Sequence, residues 1–313
     1  MYKVAIIGAG YMAKEHIRAF QDIHNVEISG IYSRTYFKAE NIALNTNIKY
    51  VARSIEDLYN NTNANIVIIT VNVDKIFEVS LECFKYPWVC LIEKPAGYNL
   101  NEAKLLNQYA VEQNKQVFVA LNRRHYSSTN KALCELKGII SPRIVKIIDQ
   151  EDIKDPIRLG HPPHIIDNWM YANSIHLIDY FKIFCRGNLL NVTHEVEWNS
   201  TNPFYMLTKL EYDTGDLGIY EAVWNAPGPW SVNIITKDKR VEMSPLEKVY
   251  IQDYGSRVKK ELEVDQWDTQ FKPGLRLQAQ ILINSLNGIE SNKLPTLSDS
   301  IETMTLINKI YKQ

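Results

Sequence analysis

The chain has 313 residues, 45% of them hydrophobic, and carries 35 Lys and Arg against 36 Asp and Glu, a formal charge of −1 with a pI near 6.7. That length exceeds one ordinary core and suits two folded domains. The balanced charge, with no basic stripe, argues against nucleic acid as a partner, and the longest apolar runs fall far short of the roughly 20 residues that a membrane-spanning helix needs.

Taken in order, Lys3 to Ile7 (KVAII) is a short apolar run that predicts a strand buried on both faces, and the spacing from Ala13 to Phe20 predicts a helix. Between them, Gly8-Ala9-Gly10-Tyr11-Met12-Ala13 matches GxGxxA. The first glycine permits a tight turn, the second lets backbone approach a pyrophosphate, and the small sixth residue lets helix pack on strand. The phosphates would lie over the helix N-terminus, whose unpaired N–H groups favour an anion, which makes Gly8, Gly10, Tyr11 and Met12 candidate cofactor contacts. Nor is there a basic region, apolar core and cleavage site ahead of this turn, so the chain is expected in the cytoplasm.

A second strand, Val26 to Tyr32, ends at Ser33-Arg34-Thr35. A carboxylate there would bind a ribose 2′-hydroxyl and repel a 2′-phosphate; instead Arg34 offers a guanidinium fork, flanked by two hydroxyls, which favours NADP while leaving NAD possible. The plain alternative is a solvated arginine at a helix start. Helices over Tyr36 to Leu44 and around Ile55 to Tyr59 alternate with Tyr50-Val51 and the strand Ile66 to Val71; then come helix Phe77 to Phe84, strand Val89 to Glu93, helix Asn101 to Gln113 and strand Gln116 to Leu121. Strict alternation of this kind is the pattern of a doubly wound parallel sheet, expected over residues 1–122. Glu93-Lys94-Pro95 closes one of its strands: proline ends the strand, so Lys94 projects from the C-terminal edge, where such sheets bind ligands. There an ammonium can stabilise an alkoxide as hydride leaves. A surface lysine at a strand end is the bland reading.

Residues 123–313 read differently. Helix Ser128 to Lys137 and strand-like RIVKIID are followed by a helix, Ser174 to Phe184, then by four strand-like runs in succession ("NVTHEVEW", "FYMLTKLEY", "LGIYEAVW", "WSVNIITK") and two helices, Leu275 to Leu286 and Ser298 to Tyr311. Successive strands predict a largely antiparallel sheet in this second α/β domain. Asn122, Arg123 and Tyr126 at the junction are candidate ligand contacts, with Arg124 and His125 available to an anionic group; a solvated linker is the alternative. "HPPHIIDNWMY" reads as an extended loop, not a metal helix, with Trp169 and Tyr171 able to stack on a sugar ring; no metal site is expected. Trp224 and Trp230 read as packing or interface residues, and Cys83, Cys90, Cys134 and Cys185 as unpaired thiols.

Together, GAGYMAKEH, EKP, the His176-Leu177-Ile178-Asp179 helix and LPTLSDSIETM resemble the Gfo/Idh/MocA oxidoreductases over nearly the whole chain. The resemblance implies an N-terminal Rossmann domain and a C-terminal α/β domain with an open, mostly antiparallel sheet that often makes a dimer contact, hence a homodimer or homotetramer. It also implies hydride transfer between NAD(P) and a carbinol or carbonyl carbon of a sugar, inositol or nucleotide-linked sugar. Under it Lys94 and His176 become the catalytic pair, although a lone histidine on an apolar helix is ordinarily a core residue; Glu93, Lys94 and Asn122 join the cofactor contacts, and the peptide before Pro95 is often cis. Two departures stand out. Many members carry an acidic residue four positions before the histidine; here it is Ala172, leaving Tyr171 and Asn173 as polar substitutes. Val71-Asn72 stands where Pro-His is common, with Thr70 and Asn72 still assigned beside the nicotinamide ribose. Loss of the acid also admits a second reading, a dinucleotide-binding regulatory or redox-sensing protein with reduced catalysis.

Overall fold

The computed structural model describes residues 1–289 and 294–312. Two compact units form, Met1–Asn122 with Gln270–Ile301, and Arg123–Thr269 with Glu302–Gln313.

In the first unit, strands β1 (Tyr2–Ile7), β2 (Val26–Tyr32), β3 (Val51–Ala52), β4 (Ile66–Ile69), β5 (Val89–Glu93) and β6 (Val117–Ala120) alternate with helices α1 (Tyr11–Gln21), α2 (Tyr36–Thr46), α3 (Ile55–Thr62), α4 (Ile76–Cys83) and α5 (Leu100–Glu112). The sheet is parallel throughout, in the order β3-β2-β1-β4-β5-β6. Every residue of β4 and the last four of β1 are buried, the mark of a sheet covered on both faces. Strand order reverses between β1 and β4, so the loops that leave their C-terminal ends part and open a crevice.

The division into 1–122 and 123–313 places the helix over 275–286 in the second domain; the structure places it in the first unit. Helix α12 (Leu275–Leu286) puts Leu275, Ala279 and Leu282 into the core that holds Ile17 and Phe20 of α1. Arg276 Nε also donates to the Asp22 carboxylate over 2.6 Å. The outward side of α1 is apolar and needs a cover, a requirement invisible in the local pattern of either helix.

In the second unit, α6 (Ser127–Glu135) precedes β7 (Ile144–Glu151), three short helices α7 (Lys154–Arg158), α8 (Pro163–Ile166) and α9 (Trp169–Ala172), and α10 (Ile175–Phe184). Strands β8 (Leu189–Val196), β9 (Tyr205–Tyr212), β10 (Leu217–Trp224), β11 (Ser231–Ile235), β12 (Lys239–Met243), β13 (Val249–Asp253) and β14 (Lys260–Leu262) follow, then α11 (Gln266–Gln270) and, after α12, α13 (Leu297–Tyr311). The eight strands form one sheet, β14-β13-β12-β11-β7-β10-β9-β8, antiparallel except for the β7–β10 pair. Strands β12 to β14 escaped the sequence reading because KRVEM, VYIQD and KEL have too few apolar residues to alternate. The stretch 161–171, expected to be extended, contains α8 and most of α9. Pro163 is the first residue of α8, where the missing N–H costs no helical bond. Ala172 and His176 likewise sit on different helices, with Asn173 and Ser174 between α9 and α10.

Among the described residues no helix is long and apolar enough to cross a membrane. All four cysteines are unpaired thiols, Cys134 exposed and the other three buried.

Candidate functional site

The crevice at the β1/β4 reversal encloses about 370 Å3 and is lined by the Gly8–Gly10 turn, by Ser33, Arg34, Thr35 and Lys38 after β2, and by Thr70, Asn72 and Lys75 after β4. Gly8 sits at φ +110°, its N–H bonded to Tyr32 O over 2.8 Å; a Cβ there would lie 2.6 Å from Thr70 Oγ1. Thr70 is itself fixed, its N–H and hydroxyl both donating to Ile7 O (2.8 and 3.0 Å). Only glycine therefore lets the β1 and β4 ends lie this close. Gly10 differs: its backbone is extended (φ −93°, ψ −169°), and among the described residues no atom beyond its chain neighbours lies within 4 Å of where a Cβ would be. It caps α1 without a side-chain bond to the helix N–H groups, so open space meets a helix N-terminus in a crevice lined by Arg34, Lys38 and Lys75, the last paired with Glu78 over 3.0 Å, and by Glu82.

Five sequence candidates thus meet in one crevice with the two glycines: Ser33, Arg34, Thr35, Thr70 and Asn72. Lys38 and Lys75 join them, one helical turn past Arg34 and three residues past Asn72; the first could have been read from its i+4 spacing. Tyr11 points to solvent, 62% exposed, with Lys272 Nζ 5.3 Å from its ring, and Met12 packs against the core, so neither lines the crevice.

Lys94 follows β5 at the same C-terminal sheet edge as the two loops, since β1, β4 and β5 run parallel with Ile7, Ile69 and Ile92 in register. It is half-buried, and the Lys94–Pro95 peptide is cis. Glu93 is buried and engaged inside the unit: Oε1 lies 2.8 Å from His16 Nε2, and Oε2 accepts the Lys94 N–H. Asn122 is also spoken for, its amide donating to Pro273 O over 3.0 Å and so tying down the segment before α12. Glu93 and Asn122 are thus placed as holders of the strand ends, away from the crevice lining.

In the second unit His176, 8% exposed, is the second residue of α10, its ring centroid 6.3 Å from that of Trp230. The Arg123 guanidinium lies 4.8 Å over the Trp230 ring and 5.8 Å from that of Tyr126. Trp230, read from sequence as a packing or interface residue, lines a cavity of about 340 Å3 with Trp169, Asn173, Glu151, Asp152 and Asp155. Trp169 and Asn173 are thus cavity residues, whereas Tyr171 and Tyr126 are buried, 2% and 3% exposed, and the Tyr171 hydroxyl meets Asn308. Arg124, a candidate for anionic ligands, is committed to Asp179 by two bonds of 2.7 Å, and Asp179 also accepts from Thr303. Burial holds His125 down at about 4, with the Arg124 charge adding, so it is neutral near pH 7. Glu151 was missed altogether: the strand read from sequence, RIVKIID, stops at Asp149, and the partners that cover Glu151, Trp169, Asn173 and Ser174, lie far along the chain.

Residues 2–121 match Gfo/Idh/MocA, an oxidoreductase family with an NAD-binding Rossmann fold. No curated protein matches the chain. Among solved structures, a protein named as an NADPH-dependent oxidoreductase from Desulfitobacterium hafniense is 18% identical with a TM-score of 0.81, covering 99% of this chain and 95% of its own. UDP-N-acetylglucosamine 3-dehydrogenase GnnA from Acidithiobacillus ferrooxidans is 15% identical at 0.78, with 99% and 96% covered. GenD2 from gentamicin A biosynthesis, in complex with NAD, is 13% identical at 0.74, with 99% and 93% covered. At these identities the likeness shows the fold.

Proposed function

We propose, for a chain whose residues 2–121 match the Gfo/Idh/MocA oxidoreductase family, a reversible hydride transfer between NADP and a hydroxyl or carbonyl carbon of a sugar or nucleotide-sugar derivative, with NAD as an alternative cofactor. The observation that carries it is the crevice itself: a glycine turn with open space beside Gly10, a helix start with no side-chain cap, and Arg34 and Lys38 on a lining where Lys75 is paired with Glu78. That donor set fits a dinucleotide. Gly8 and Gly10 would admit the diphosphate, Arg34 and Lys38 a 2′-phosphate, with Ser33 and Thr35 adding hydroxyl donors, and Thr70 and Asn72 would contact the nicotinamide ribose. When bound, the nicotinamide gives or takes the hydride. Lys94 stabilises the alkoxide, and His176 exchanges or orients the hydroxyl proton. Arg123, Trp169 and Asn173 are the remaining substrate contacts in this reading.

NADPH and NADP binding by the purified protein is the primary test; failure of both to bind removes the oxidoreductase reading. Lys94→Ala is expected to keep NADPH binding and abolish turnover with a panel of sugars and nucleotide sugars, and normal turnover in that variant would remove Lys94 from the chemistry. Ala172 favours a second reading, a dinucleotide-binding regulator: at that buried position no side chain can relay a proton. Turnover of any panel member decides against it. A homodimer or homotetramer through the second sheet is supported by the strand alternation, which leaves Ile148, Leu207, Ile219 and Val223 half-exposed on the face opposite buried Asp149, Tyr220 and Trp224. Light scattering that returns a monomer overturns it.

A further inference from the structure

Asp149 and Glu151 alternate on β7 and therefore point to the same side of the sheet, 0% and 1% exposed. No salt bridge reaches either carboxyl among the described residues. Their partners are neutral. Asn173 Nδ2 donates to both oxygens of Glu151 (3.0 and 2.9 Å), Trp169 Nε1 donates to Oε2 (3.1 Å), and Ser174 Oγ lies 3.4 Å from Oε1. The hydroxyls continue from Ser174 to Tyr311 (3.4 Å), from Tyr311 to Tyr220 (2.8 Å), and from Tyr220 to Asp149 Oδ2 (2.7 Å). A chain of hydroxyls thus links two buried acids, one of which lines the 340 Å3 cavity beside Trp169 and Trp230. Among the described residues Asp149 Oδ1 accepts no hydrogen bond of good geometry, although Ser174 and Glu151 both act on that carboxyl.

Two adjacent carboxylates with no ion-paired cation disfavour the doubly charged state, since each is desolvated and each repels the other. We propose that Asp149 and Glu151 hold one proton between them, and that Glu151 uses it to hydrogen-bond an oxygen of a hydroxylated ring bound between Trp169 and Trp230. Burial pushes both carboxyls up, Glu151 well above the ordinary carboxylate range, where the Asp149 charge adds to the effect. The other titratable groups around the pair are Tyr220 from β10 and Tyr311 from α13, both raised by burial and so neutral donors, Arg123 acting on Asp149, and Asp152 and Asp155 on the cavity lining. A space of 340 Å3 flanked by two indoles takes one pyranose- or cyclitol-sized ring. The inference deepens the proposed function and rests on it for the ligand class.

The test uses the full chain, with tryptophan fluorescence titrated by D-glucose, myo-inositol and UDP-N-acetylglucosamine from about pH 5 to pH 9. At least one probe is expected to bind, with affinity falling as pH rises. Glu151→Gln, whose amide can donate as a protonated acid does, is expected to bind that probe within about threefold of wild type and without the pH dependence, and Glu151→Ala to lose at least about tenfold. Trp169→Phe keeps the acid but removes a donor to its ionised form, so the pH of the loss should move up. Binding that tightens with pH, a Gln variant as weak as the Ala variant, an unmoved midpoint in Trp169→Phe, or no probe bound by wild type overturns the proposal. NADPH affinity, measured on the same samples, separates this failure from that of the oxidoreductase reading: retained NADPH binding confines the fault to the cavity.

Discussion

Replacing each of the two turn glycines by alanine separates what the fold needs from what the proposed ligand needs. At Gly8 the added methyl would lie 2.6 Å from Thr70 Oγ1 and 2.7 Å from Thr70 O, on a backbone with φ +110°. The left-handed backbone costs a non-glycine residue about 1–2 kcal/mol, and overpacking about 1–3 kcal/mol more, since Thr70 is held by two bonds to Ile7 and cannot step aside. A loss of about 2–5 kcal/mol should lower Tm by roughly 10 °C. At Gly10 the methyl meets nothing within 4 Å and the backbone is already extended, so stability should change by less than about 1 kcal/mol. That methyl nevertheless occupies the space over the start of α1. NADPH affinity should fall at least about tenfold, or about 1.4 kcal/mol, in a protein that melts normally. Thermal unfolding by circular dichroism and NADPH fluorescence titration read the two quantities independently. Unchanged NADPH affinity in Gly10→Ala would refute the placing of a diphosphate over this turn, whatever the outcome at Gly8.

Three further outcomes follow from particular contacts. Arg34→Ala should weaken NADPH at least about tenfold while changing NADH by less than about threefold, by competitive titration; equal losses would contradict a 2′-phosphate contact. Arg124→Ala removes both 2.7 Å bonds to Asp179, whose side chain is only 4% exposed, and should cost about 3–5 kcal/mol in urea unfolding; a loss below about 1 kcal/mol would show that the Thr303 bond and relaxation suffice. His125, neutral in the folded chain because burial holds it at about 4, protonates near pH 6.5 when unfolded. The unfolded state then binds the extra proton, so stability should fall by about 3 kcal/mol as pH drops from about 6.5 to about 4, and level off below. His125→Gln should flatten that part of the pH–stability curve, and an unaltered slope would assign the acid sensitivity elsewhere.

The first half of the chain was legible because its signals are local. KVAII, IVII and VCLIE are apolar runs of strand length, helical spacing separates them, and GxGxxA at the end of the first marks a tight turn into a helix. These facts fix a parallel sheet and the placing of Arg34 and Lys94 at its C-terminal edge before any coordinate is known. Burial on both faces needs no distant partner to be named. Tertiary structure decided the rest, wherever a residue's environment comes from elements far apart in sequence. Helix α12 joins the first core because α1 has an apolar side to cover, and Glu93 and Asn122 turn inward to His16 and Pro273. Strands too polar to alternate, β12 to β14, form because β11 offers an unpaired edge. Glu151, two residues from Asp149 on one strand, acquires its chemistry only when Trp169, Asn173 and Ser174 fold over it, since a carboxyl's affinity for a proton depends on the water removed around it and not on its neighbours in the chain.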